Sequence, residues 1–157
     1  MRVAAAFDHR GVKLRAAVLD AIAASGNQAV DLGVDTDAVR VDYPERARAV
    51  GEAILAGEAD RAVLVCGSGV GASVAACKID GIRAAICHDA YSAHQGVEHD
   101  DMNVLCLGSE VVGESLARDL VAVFLGATFA AEGRYLERLQ QVNAMEQEQW
   151  HGHVTTS

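Results

Sequence analysis

Residues 63–73 read Val-Leu-Val-Cys-Gly-Ser-Gly-Val-Gly-Ala-Ser. A strand-forming apolar run ends on Cys66, and a glycine-rich turn then leads into a helix-forming stretch. This spacing puts one thiol at a strand tip. It also gathers the amides from Gly67 to Ala72 around a helix N-terminus, where free N–H groups and the helix dipole favour negative charge. Such a position favours a thiolate. Free cysteine has a pKa near ~8.5, so a modest downward shift makes a usable base at neutral pH. The plainer alternatives are a buried strand cysteine and a turn that uses glycine only for its backbone freedom.

The loop fits none of the common phosphate loops well. A Walker loop needs Gly-Lys-Ser/Thr, and Gly71-Ala72-Ser73 has no lysine. The dinucleotide fingerprint starting at Gly67 ends on a tolerated Ala72, but the loop follows the third strand rather than the first. A cysteine phosphatase loop needs an arginine six residues after the cysteine, which is again Ala72. Other candidates stand elsewhere. Asp8 and His9 are adjacent at a strand tip. Arg134 and Arg138 share a helix face, where like charges cost about 0.2–0.5 kcal/mol that an anionic ligand could offset; a solvated face beside Glu137 is the alternative. His94, His99, Asp100 and Asp101 cluster before the fifth strand without metal-ligand spacing, so no metal site is expected.

These residues are positioned by apolar runs that alternate with helical patterns. Strands are predicted over 2–7, 28–32, 62–66, 82–87 and 103–107. Helical stretches are predicted near 11–25, 44–57, 70–79, 89–97 and 113–125. Gly26, Gly57 and Gly81 fall where helices should stop, and Pro44 suits a first helical turn. Short apolar strands between helices argue for βαβ units and a parallel sheet buried on both faces. The expected fold is α/β: a Rossmann-like three-layer αβα sandwich with a five-stranded parallel sheet and an extra C-terminal helix over about 132–149. One domain covers 1–150, and 151–157 read as a flexible tail whose His151 and His153 are taken as solvated. Ligands of open α/β sheets bind beyond the carboxyl ends of the strands. Asp8-His9-Arg10-Gly11, Cys66 to Gly71, His88-Asp89 and Gly108-Ser109 all collect at that edge.

The chain has 157 residues, 51% hydrophobic but only 4% aromatic, so its core is aliphatic. A net charge of −9 argues against nucleic acid as a partner. The absence of an apolar run of membrane length argues against a membrane span. No signal peptide is recognisable, and a cytoplasmic location is the expectation. Cys66, Cys77, Cys87 and Cys106 form no C-x-x-C pair and are read as reduced thiols, with Cys77 and Cys106 buried in packing.

In combination, the motifs Asp8-His9, Asp42-Tyr43-Pro44, Cys66-Gly67-Ser68-Gly69-Val70-Gly71 and Gly81-Ile82-Arg83-Ala84 resemble the ribose-5-phosphate isomerase B family. So do Tyr91-Ser92-Ala93, His99-Asp100-Asp101-Met102-Asn103, Gly133-Arg134 and Arg138. That family also holds allose-6-phosphate isomerases and galactose-6-phosphate isomerase subunits. The resemblance implies aldose–ketose isomerisation of a phosphorylated sugar through a cis-enediolate, without metal or cofactor. It implies Cys66 as the base between C2 and C1, Ser68 in proton exchange between the oxygens, and the amides of Gly67, Gly69, Val70 and Gly71 in an anion hole. His99 with Asp8 would open the sugar ring. His9, Arg134 and Arg138 would hold the phosphate, with Tyr43 lining the pocket. Asp100 stands where relatives often carry asparagine, and Arg10 where many carry a small or apolar residue. A homodimer or tetramer with the site at the subunit interface is implied. Ribose 5-phosphate is the first substrate to expect, another sugar phosphate the alternative, and a non-catalytic sugar-phosphate or nucleotide-binding module the rival from another class.

Overall fold

Aliphatic strands joined by helices bury both faces of a parallel sheet, which fixes the layering. The computed structural model describes residues 1–148. Strands β1 (Arg2–Phe7), β2 (Gln28–Asp31), β3 (Arg61–Cys66), β4 (Ala84–Ile86) and β5 (Val104–Gly108) pair in parallel in the order β2-β1-β3-β5-β4. The helices are α1 (Arg15–Ala24), α2 (Tyr43–Leu55), α3 (Val70–Ala76), α4 (Ala90–Asp100), α5 (Glu114–Gly126) and α6 (Gly133–Met145). This is the expected α/β sandwich. No described helix is long and apolar enough to cross a membrane.

The period of two along each strand divides the core. Val3, Ala5, Phe7, Val63, Val65, Leu105 and Leu107 pack with Val18 and Ile22 of α1, Val97 of α4 and Phe124 of α5. Ala4, Ala6, Leu64, Cys66 and Cys106 face the other way, against Ala47 and Val50 of α2 and Ala72 and Ala76 of α3. Cys66 therefore emerges on the α2–α3 side because it lies in step with Leu64. Strand order reverses at β1 and β3, where Phe7 lies opposite Val65. The loops after these two strands flank the crevice in which α/β sheets bind ligands.

Several boundaries differ from expectation, each for a local reason. The first helix opens with a 3-10 turn over Gly11–Leu14. The fourth strand is only Ala84–Ile86, because the Ile82 amide turns back to the Ile79 carbonyl and the Arg83 amide donates to the Asn103 side chain. Helix α4 runs on to Asp100, so His99 and Asp100 sit in its last turn rather than in a loop. It stops at Asp101, which takes the left-handed conformation at φ 51°, an option open to short polar side chains. Cys77, expected in the core, is exposed: it caps α3, and its thiol donates to the Ala84 carbonyl at 3.1 Å. Cys106 is buried as expected. The tail over 151–157, with His151 and His153, lies outside the described residues.

Candidate active site

A cavity of about 380 Å³ opens between the tips of β1 and β3. It is lined by Asp8, His9, Arg10, Arg40, Asp42, Tyr43, Cys66, Gly67, Ser68 and Gly71. Strand register delivers Cys66 to this floor, where the residue is 4% exposed. Gly69 adopts φ 81°, a left-handed turn that folds its amide back onto the Cys66 sulfur at 3.1 Å. The Val70 amide donates to Ser68 Oγ at 3.2 Å. Two of the loop amides thus already point at the two side chains best suited to move protons. Tyr43, at the start of α2, lies flat against Gly71, where an added Cβ would fall 2.6 Å from the ring.

On the β1 side, Asp8 is buried, and its Oδ1 accepts from the Arg10 amide at 2.9 Å and the Gly11 amide at 2.7 Å. One carboxylate oxygen therefore holds the turn that carries His9 and Arg10. His9 Nδ1 lies 3.0 Å from the Val41 carbonyl. A carbonyl only accepts, so His9 carries a proton on Nδ1 and ties the 33–42 segment to the strand tip.

His99, Asp100, Arg134 and Arg138 do not line this cavity. His99 stacks on Tyr135 of α6 with ring centroids 4.4 Å apart, and the Arg134 guanidinium lies 5.1 Å over the same ring. Arg134 also donates to Tyr135 Oη at 3.2 Å, which holds its pKa above the ordinary value. Asp100 lines a second, more apolar cavity of about 420 Å³ with Arg83, Met102, Leu139, Val142 and Glu146. No residue of α6 is buried. The residues expected at one site thus stand as two groups in one chain, a thiol cavity and an α4–α6 cluster.

His88 and Asp89, at the same sheet edge, are used structurally. His88 Nε2 accepts from the Gly108 amide at 3.0 Å, and burial lowers its pKa despite nearby Asp89. Asp89 caps α4 through the Ser92 amide. Sequence reasoning missed Arg40, Tyr135 and Glu110. Arg40 had a signal, two residues before Asp42-Tyr43-Pro44; Tyr135 had one too, between two arginines already singled out.

The sequence model of the family described as Ribose/Galactose Isomerase matches residues 3–142. Ribose-5-phosphate isomerase B of Escherichia coli is 40% identical over 146 residues, covering 93% of this chain and 97% of that protein. D-erythrulose-4-phosphate isomerase 2 of Mycolicibacterium smegmatis is 41% identical over 116 residues, covering 74% and 76%. The structure of Leishmania infantum type B ribose 5-phosphate isomerase matches with a TM-score of 0.90 at 40% identity, covering 95% of this chain and 98% of that one. With fold and sequence agreeing along nearly its whole length, the chain belongs to the ribose/galactose isomerase family of aldose–ketose isomerases.

Proposed function

We propose that the chain interconverts ribose 5-phosphate and ribulose 5-phosphate, with Cys66 as the proton-transferring base. The observation that carries this reading is the Cys66 sulfur at the floor of a polar cavity, held by the Gly69 amide and neighboured by Ser68. The Cys66 thiolate takes the C2 proton of the open-chain aldose. The released electron pair forms the C1–C2 double bond, and the carbonyl electrons move to O1. Amides of Gly67 to Gly71 stabilise the resulting cis-enediolate, a charge that exists only during reaction. The Ser68 hydroxyl passes a proton between O2 and O1, and the Cys66 thiol returns its proton to C1.

Ring opening falls to His99 with Asp8, and the phosphate to His9, Arg134 and Arg138, with Arg10, Tyr43 and Asp100 beside the substrate. Since His99, Arg134 and Arg138 stand apart from the thiol cavity, a second copy of the chain supplies them in a homodimer or a dimer of dimers. The unburied helix α6 supports that assignment. No metal takes part in this scheme. Four unpaired cysteines fit a reducing, cytoplasmic setting.

A four-carbon substrate is the second reading, favoured by the 41% identity to the D-erythrulose-4-phosphate isomerase and by an arginine side chain inside the cavity. Six-carbon sugar phosphates such as allose or galactose 6-phosphate are the remaining alternatives. Turnover of four-, five- and six-carbon aldose phosphates decides among them. A kcat/KM highest for ribose 5-phosphate supports the first reading, and a preference of about tenfold or more for another sugar replaces it.

A further inference from the structure

We propose that Arg10 is a substrate-binding cation that the Cys66-bearing protomer itself directs at the substrate's phosphate, and that Ser109 and Glu110 are positioning residues that fix it there. The proposal rests on the sugar-phosphate isomerase reading and deepens it.

Among the described residues, Asp8 and Ser109 are the buried polar side chains, 4% and 8% exposed in an otherwise apolar core. Burying such groups is unfavourable unless they are hydrogen-bonded, and both are committed to one short segment. Asp8 accepts the Arg10 amide, and Ser109 Oγ donates to the Arg10 carbonyl at 2.8 Å across a separation of 99 residues. The main chain of Arg10 is therefore clamped from both sides.

Its side chain, 55% exposed, reaches across the cavity loop. The guanidinium lies over Gly67, the residue after Cys66, so closely that a Cβ at Gly67 would fall 2.5 Å from Arg10 Cζ. Glycine at 67 makes room for the arginine as well as for the turn.

Glu110, next to Ser109, sits between two cations. Lys13 Nζ donates to its Oε1 at 2.6 Å, and Arg10 Nη2 lies 3.8 Å away. The Lys13 hydrogen bond and charge, with Arg10 behind them, hold the Glu110 carboxyl below its ordinary pKa. Glu110 thus orients Arg10 while spending its close contact on Lys13. Among the described residues, the Arg10 guanidinium donates no hydrogen bond. The trio carries one net positive charge beside the thiol cavity, in a chain whose net charge is −9. A planar fork with free donors suits a phosphate dianion.

The test compares steady-state kinetics on the best sugar phosphate with calorimetric binding of inorganic phosphate. Arg10→Ala should raise KM about tenfold or more, leave kcat within about threefold, and weaken phosphate binding in parallel. Glu110→Gln should raise KM about threefold in the native background and have no effect beside Arg10→Ala, since it acts only through Arg10. Ser109→Ala should behave like Glu110→Gln, with Ser109→Thr restoring the loss. An Arg10→Ala variant with unchanged KM and phosphate binding overturns the proposal, as does one that loses kcat alone. Equal effects of Glu110→Gln in both backgrounds overturn the positioning role. If the native protein turns over no sugar phosphate, the isomerase reading fails, while phosphate calorimetry still decides the place of Arg10.

Discussion

His99 of α4 and Tyr135 of α6 stack at 4.4 Å with their planes 21° apart, and Arg134 covers the same tyrosine. One ring therefore orients both the proposed ring-opening base and a proposed phosphate ligand. Aromatic stacking adds about 0.5–1.5 kcal/mol beyond burial. Tyr135→Ala should cost roughly threefold to tenfold in kcat/KM on a ring-closed sugar phosphate. Tyr135→Phe keeps the stack and should lose mainly in KM, because only the hydrogen bond from Arg134 disappears. Equal losses in the two variants would show that the ring does not orient His99.

Asp8 holds the turn after β1 and is proposed to take part in ring opening, and substitution separates the two. Asp8→Ala leaves the Arg10 and Gly11 amides without their acceptor and should destabilise the fold by about 2–5 kcal/mol in denaturant titration. Asp8→Asn keeps an acceptor oxygen, so it should lose much less stability while still slowing turnover of the furanose form. Full activity in Asp8→Asn would remove Asp8 from ring opening.

The division of the site between two groups makes complementation possible. Cys66→Ala and His99→Ala are each expected to be inactive alone. In the proposed homodimer, mixing under conditions that exchange subunits would make half of the dimers hybrids with one intact site each, so activity should recover to about a quarter of native. No recovery after proven exchange would place both residues in the same chain's site.

Burial and neighbouring Asp89 push the Cys87 thiol from 9.0 up to about 11. A raised folded-state pKa means that stability is full below the unfolded value and is lost as pH rises. Stability should therefore decline between about pH 9 and 11, and Cys87→Ala should flatten that decline. An identical pH profile in the variant would assign the loss to other groups.

Much of this was legible in the chain because it is local. Alternating aliphatic runs mark all five strands, and the Cys66 loop announces itself by its glycines. The limits of α4 were not legible, since Asp101 rather than a glycine ends it. Cys77 was misread because an apolar flank does not reveal which side of a helix cap faces solvent. Asp8, His9, Arg10, Tyr43, Cys66, Gly67, Ser68 and Gly71 do converge on one cavity. The contacts of Arg10 with Ser109 and Glu110 span about a hundred residues, and the β1–β3 and β3–β5 pairings together bring them into reach.

The central claim is that the Cys66 sulfur moves the proton between C2 and C1. The most direct measurement is deuterium incorporation at the exchanging carbon when the protein equilibrates a sugar phosphate in heavy water. The native chain should introduce solvent deuterium. Cys66→Ala should introduce none while still binding inorganic phosphate. Exchange at the native rate in Cys66→Ala would contradict the account.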